Sequence, residues 1–226
     1  MFGDGRKSGS VHIIEILKMK VIGSEAIFIL DFADQGDLGI LYPEPLCPLL
    51  AQNYFRQMIF GLDYIHSRNV VHRDIKPRNL FLKSPNKLKI GDFGMAEFFR
   101  DKDGKQIWIS GAHGTLGFAA PEVFIRGLES KGPPLDVWSA GVVLVDLLTK
   151  NQLWRGARMG DVNFAKYYNK DYDGMTFDWR SLGGATSLVR KMLNVQSAYR
   201  ITIDEILSDP WFVVDIADET IGKCEE

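Results

Sequence analysis

Cysteine is nearly absent from this sequence: Cys47 and Cys224 are the only two in 226 residues, and they lie far apart. That spacing makes neither a disulfide framework nor a set of zinc ligands, and it points to a reducing interior. Positive charge is not in excess either. With 27 Lys and Arg against 29 Asp and Glu the formal net charge is −2. A chain that wraps nucleic acid or coats an anionic membrane needs dense positive charge, so both partners are excluded as its main business. No apolar run approaches the roughly 18 residues that a membrane span requires, and the opening MFGDGRKSGS has no apolar core of the signal-peptide kind. Internal repeats, low-complexity tracts and a linker good enough to split the chain are also missing. What remains is ordinary globular composition, 46% hydrophobic and 25% charged. The length suits one large domain or two small ones.

Along the chain, residues 1–10 are rich in Gly, Ser and charge and read as a flexible start. Val11–Leu17 and Ala26–Asp31 are short apolar runs bounded by Gly or Ser, and each reads as a strand. The tract CPLLAQNYFRQMIFGLDYIHS, residues 47–67, sets Leu50, Tyr54, Phe55, Met58, Leu62 and Ile65 at helical spacing. Pro48 stands at its opening, where a missing N–H costs least. Two β-like pieces follow, Leu80–Leu82 and Leu88–Ile90, separated by the turn-prone SPN. Beyond them the pattern is helical. Leu135–Leu148 is apolar nearly all round, as a helix buried in the centre of a bundle must be. Further helices are expected near Asp161–Tyr168, Ser181–Leu193 and Thr202–Ser208. Strands at the front and helices at the back predict an α+β architecture.

One stretch stands out for chemistry. VVHRDIKPRNLFL, residues 70–82, carries Asp74 and Asn79 five positions apart on a loop, and Asp92 follows in GDFG after a hairpin-like segment. Two carboxylates and an amide oxygen are hard ligands of the kind Mg²⁺ accepts alongside substrate phosphates. That set suggests phosphoryl transfer, which asks a protein for positioning, charge neutralisation and one carboxylate to accept a proton. With these residues the sequence resembles a eukaryotic protein kinase of the serine/threonine type. HRDIKPRN (72–79) stands for the catalytic loop, DFG (92–94) for the metal-binding turn, and AAPE (119–122) for the end of the activation segment. DVWSAGVVL (136–144) matches the central helix of the large lobe. Within the family QGDL (35–38), GTLGFAAPE (114–122), PLDVWSAGVVL (134–144) and YRITIDEILSDPWF (199–212) look most like the checkpoint kinase 1 branch of the calcium/calmodulin-kinase-like group.

The resemblance implies a protein-kinase-like fold with a mostly helical large lobe, residues 34–212, and a truncated small β lobe, of which residues 11–33 are a remnant with the hinge; residues 213–226 form a tail. It implies ATP and Mg²⁺ as cofactors and a protein bearing Ser or Thr as substrate. Asp74 then orients and deprotonates the acceptor hydroxyl, Lys76 meets the γ-phosphate, and Asn79 and Asp92 hold Mg²⁺. Thr115 braces Asp74 and Lys76. Asp31–Ala33 supplies the hinge backbone for adenine, Leu30 guards it, Phe81 lies beneath the ring, and Asp37 lies near the ribose. Met95, after DFG, goes with serine over threonine. Arg200 pairs with Glu122, and Asp136 serves backbone N–H groups of the catalytic loop. The branch also implies a nuclear or cytoplasmic protein; its oligomeric state is left open.

Three departures from the family pattern bear on function. The glycine-rich strand pair, the lysine that grips the α- and β-phosphates and the glutamate that holds it do not appear ahead of Val11, and Lys7 is a poor stand-in. The expectation is a truncated or degenerate kinase of doubtful activity, with a pseudokinase or scaffold as the alternative. Two departures point to substrate choice. Arg78 replaces the glutamate usual before the catalytic-loop asparagine, which in many basophilic kinases meets a substrate arginine, so the resemblance implies a repulsive contact there. Gly117 stands where the branch has proline, which implies relaxed selectivity for the residue after the acceptor. Ser110 is a candidate phosphosite facing Arg73. His12, His66 and His113 lack metal-like spacing, and Trp154, Arg155 and Arg158 read as a solvated face, with a docking patch as the alternative.

Overall fold

A computed structural model describes residues 9–84, 86–111 and 113–214. Lys7, Cys224 and most of the expected tail lie outside them. The core is built on two helices. α2 (Pro48–His66), which follows the single turn α1 (Leu38–Leu41), buries Leu50, Tyr54, Phe55, Met58, Ile59, Leu62 and Ile65 on one side. These positions recur at three and four residues, so the side chains form one stripe. α3 (Pro133–Thr149) is buried nearly all round, as its uniform apolarity demands. Gly141 within it has no side chain because a Cβ there would lie 3.0 Å from the Met192 Cβ. α4 (Val162–Tyr168), α5 (Thr186–Met192), α6 (Ile203–Leu207) and α7 (Pro210–Val213) pack around this pair. Asp161 caps α4, and Thr202 with Glu205 closes a capping box on α6.

The strands are short and serve mainly to fix loops. β1 (Ile16–Ile22) and β2 (Glu25–Leu30) make an antiparallel hairpin. β3 (Gly36–Asp37), β5 (Leu80–Ser84) and β6 (Lys87–Ile90) form a three-stranded sheet in the order β3-β5-β6. β4 (Val70–Val71) pairs with β7 (Glu97–Phe98), and β8 (Ile109–Ser110) with β9 (Glu129–Ser130). The α+β expectation holds, with small antiparallel sheets and a mainly helical body.

Three expectations need correction. The first strand starts at Ile16, not Val11: residues 9–12 make a 3₁₀ turn, and Ile13 and Ile14 dock beside Ile90 on the large body. Burial of those isoleucines against α2 and β6 overrides their strand propensity. The helix expected at Ser181–Leu193 is divided: a 3₁₀ segment covers Trp179–Ala185 and is itself kinked at Gly183, at φ 52° and ψ −130°, and α5 begins only at Thr186. Trp154, expected on a solvated face, is buried and stacks on Trp138 with ring centroids 5.6 Å apart.

Every residue of β1 and β2 is exposed. Ile27, Phe28, Ile29 and Leu30 show about half of their surface to solvent, as do Ile16, Leu17 and Met19 on the partner strand. A two-stranded hairpin with both faces wet is marginal in isolation. Asp31, just after β2, ties it to the body through Lys83 at 2.5 Å and Lys89 at 3.2 Å.

Candidate active site

The loop between β4 and β5 is held from beneath by Asp136, on the first turn of α3. Its Oδ2 accepts the His72 N–H at 2.8 Å and its Oδ1 the Arg73 N–H at 2.8 Å, while His66 Nε2 bonds Oδ2 at 2.8 Å. This carboxylate is fully buried. Burial opposes its charge, but the hydrogen bonds and the two imidazoles keep its pKa below the usual carboxylate value. Arg73 takes a positive φ of 68°, rare for a residue with a side chain. The Asp136 bond and two side-chain bonds of Arg73, to Met95 O at 2.5 Å and Glu97 at 2.7 Å, hold it there. The result is a sharp bend that turns Asp74 outward.

Asp74 is the centre of the site. Its Oδ2 lies 2.7 Å from Lys76 Nζ and 3.2 Å from Asn79 Nδ2, and its Oδ1 accepts both the hydroxyl and the N–H of Thr115 at 2.8 Å. Lys76 Nζ also donates to the Thr115 hydroxyl at 2.8 Å. Partial burial pushes the Asp74 carboxyl up, but Lys76 and Thr115 outweigh it and hold the pKa below the ordinary value. The group is therefore ionised at neutral pH and points in one direction. Gly114, at φ 89°, lets the activation segment come this close: a Cβ there would sit 2.5 Å from Arg73 O.

Asn79 and Asp92 are brought to adjoining loops. Gly91 N–H, one residue before Asp92, donates to Asn79 O at 2.9 Å, and His72 Nε2 bonds Gly91 O at 3.0 Å. Asp92 has a left-handed backbone, φ 58°, and among the described residues its exposed carboxylate accepts only the Gly94 N–H, at 3.3 Å. The Asn79 amide nitrogen is turned to Asp74, and among the described residues its side-chain oxygen accepts no hydrogen bond. Two hard oxygens on neighbouring loops suit Mg²⁺, which keeps few protein ligands and completes its shell with phosphates and water. Among the described residues no His, Cys, Asp or Glu cluster of three or more forms a different metal site.

The residues expected to meet a nucleotide lie on β3, on β5 and just after β2. Asp37 and Phe81 are directly opposed in the β3–β5 ladder, and the Phe81 ring packs so close to Gly91 that a Cβ there would meet it at 2.9 Å. Asp37 Oδ1 is engaged in capping α1 through the Ile40 N–H at 3.1 Å. Asp31 gives its N–H to Glu15 O at 2.8 Å, and its carboxylate is turned to Lys83 and Lys89, which lower its pKa. Ala33 O accepts the Gly36 N–H at 3.3 Å, while the Ala33 N–H donates no backbone bond among the described residues.

The protein kinase domain family matches residues 6–212 of this sequence. The chain belongs to the protein kinase family. It is 39% identical over 97% of its length to the serine/threonine-protein kinase chk-1 of Caenorhabditis briggsae, of which it covers 43%. It is 35% identical over 92% of its length to the serine/threonine-protein kinase grp of Drosophila melanogaster, covering 40% of that protein. It is 37% identical over 78% of its length to the serine/threonine-protein kinase CHK1 of Mycosarcoma maydis, covering 26%. The chain thus spans less than half the length of these curated relatives.

In this kinase domain Glu122 and Arg200 form the expected buried pair, bidentate at 2.6 and 2.9 Å, and Arg200 Nη1 also reaches Pro134 O at 2.7 Å. Ser110 lies exposed in β8, and Arg73 is engaged by Glu97 at 2.7 Å. Sequence reasoning missed Glu97 and the His66 bond to Asp136. Neither had a local signal, because each depends on pairing across 24 and 70 residues. No helix among the described residues is long and apolar enough to cross a membrane.

Proposed function

We propose that the chain carries the catalytic machinery of an ATP-dependent protein serine/threonine kinase, moving the γ-phosphoryl group to a Ser or Thr hydroxyl of a protein substrate inside the cell, in nucleus or cytoplasm. The observation that carries this reading is the arrangement at Asp74: an ionised carboxylate held from both sides by Lys76, Thr115 and Asn79. Asp74 orients the acceptor hydroxyl and takes its proton as the oxygen–phosphorus bond forms and the bond to the β-phosphate oxygen breaks. A carboxylate of lowered pKa is a weak base, so its main contribution is alignment, with proton transfer late. Lys76, fixed at 2.7 Å from Asp74 and 2.8 Å from the Thr115 hydroxyl, offers its remaining donor to the transferring group. Asn79 and Asp92 would hold Mg²⁺, which supplies charge neutralisation of the phosphates when bound. Asp31 O and the Ala33 N–H serve adenine, above Phe81.

The exposed hairpin favours a second reading, a pseudokinase or scaffold that docks a protein without transfer. Among the described residues nothing covers either face of β1–β2. Radiolabelled transfer from ATP beside an Asp74→Ala control separates the two. Incorporation that the substitution abolishes supports the kinase, and no incorporation from the intact chain supports the scaffold.

A further inference from the structure

Lys89 on β6 is the one buried lysine among the described residues, 6% exposed. Its ammonium donates to Ile13 O at 3.1 Å and lies 3.2 Å from Asp31 Oδ2. Ile13 precedes β1 and Asp31 follows β2, so Lys89 spans the entrance and the exit of the hairpin. Two backbone bonds brace the same stalk, from the Asp31 N–H to Glu15 O at 2.8 Å and from the Ile14 N–H to Ile90 O at 2.9 Å. Beyond the stalk every residue of both strands is exposed, so polar contacts at the base, and not burial, fix the hairpin on the body. An ammonium is costly to bury unless oxygens replace its water, and the oxygens here are those of the stalk.

The same lysine adjoins the nucleotide side. It is directly opposite Phe81 in the β5–β6 ladder, and Phe81 and Ile14 both crowd Gly91, where a Cβ would meet them at 2.9 and 3.0 Å. One rung of the sheet thus carries both the residue assigned beneath adenine and the cation that holds the segment beside it, Asp31–Ala33. We propose that Lys89 is a positioning residue for the nucleotide: by joining Ile13 O to the Asp31 carboxylate it fixes the backbone of residues 31–33 relative to Phe81. The proposal rests on the kinase reading above. Lys83, 2.5 Å from Asp31, is a second partner on the neighbouring strand, but it is more exposed and makes no bond to Ile13 among the described residues. Glu15 and Lys87 line the same cleft, of about 450 Å³, and form no ion pair among the described residues, so the cations that face Asp31 are Lys83 and Lys89.

Lys89→Met keeps the stem and removes the charge, and Asp31 retains Lys83, so no carboxylate is stranded. If the productive placing of residues 31–33 then falls to about one tenth of the population, apparent nucleotide affinity falls about tenfold. In the full 226-residue chain the expected result is a KM for ATP raised about tenfold with kcat at saturating ATP within about twofold of the parent. Amide hydrogen exchange should be faster in β1 and β2 and unchanged in α2 and α3. Lys89→Arg, whose planar fork can meet both oxygens, should keep KM within about threefold. An unchanged KM in Lys89→Met, a loss of kcat without a rise in KM, or an arginine variant no better than the methionine one overturns the proposal. A parent chain that transfers no label fails the kinase reading alone. Binding of methylanthraniloyl-ATP with Mg²⁺ then reads the same difference as a Kd, and equal affinities, or no binding by the parent, refute the role given to Lys89.

Discussion

Asp136→Asn is the substitution that best probes how the fold makes the site. The carboxylate accepts three donors at 2.8 Å with no exposure to solvent. An amide in its place presents oxygen on one side only. Whichever way it turns, its NH₂ faces the His72 or the Arg73 N–H, and leaving that donor orphaned costs about 1–3 kcal/mol. The remaining bonds lose their ionic character, roughly another 1 kcal/mol each. The sum is about 3–5 kcal/mol, out of a total stability of about 5–15 kcal/mol for a domain. Function should suffer more than stability. Arg73 holds a backbone conformation that costs about 1–3 kcal/mol unless its surroundings enforce it, and its N–H bond to Asp136 is one of those restraints. Relaxation there shifts the neighbouring Asp74, and a displacement of about 1 Å is worth roughly 100-fold in rate. Urea unfolding followed by tryptophan fluorescence reads the first effect, and label transfer from ATP under conditions where the variant is folded reads the second. A variant within about 1 kcal/mol of the parent, with transfer reduced less than about threefold, would refute the claim that α3 sets the catalytic loop.

Further outcomes follow from the same contacts. Glu122→Gln and Arg200→Met should each destabilise by about 3–5 kcal/mol, because each strands a buried charge, and the double variant should cost less than the sum in a urea double-mutant cycle; strict additivity would mean the pair is not coupled. Gly114→Ala places a Cβ 2.5 Å from Arg73 O at a backbone φ of 89°, so transfer should fall sharply while most of the fold survives, as circular dichroism beside the label assay can tell. Asp136 and Asp74 both have folded pKa values below their unfolded ones. Their stabilisation is therefore present above about pH 4 and is lost as pH falls further, through the folded values. A urea midpoint flat near neutrality and dropping below about pH 4 is expected, with the acid limb shallower in Asp136→Asn.

Much of this was legible because the signals are local. The stripe from Leu50 to Ile65 has helical period, and the uniform apolarity of Leu135–Leu148 admits only a central helix, so both lie where the spacing put them. The loop motif likewise placed Asp74, Asn79 and Asp92 on adjoining loops. The failures are of two physical kinds. Val11–Leu17 looks like a strand over its whole length, yet tertiary burial takes the first part into a turn against α2 and leaves the Lys18–Met19–Lys20 alternation to carry the strand. Gly183 breaks a helical pattern because its conformation, φ 52° with ψ −130°, is closed to a helix, which apolar periodicity does not register.

The unread contacts share a different cause, and they decide how the site works. Arg73 could be foreseen as a bare cation awaiting a phosphate. In the fold, the β4–β7 pairing sets Val71 opposite Glu97 and so delivers a carboxylate to the arginine two residues on. Arg73 is thereby committed to holding its own loop, together with Asp136 below it, and Lys76 and Asp74 are committed to one another. Charge that is spent inside the fold fixes geometry, and here the pairing of Lys76 with Asp74, braced by Thr115, makes Asp74 a rigid acceptor.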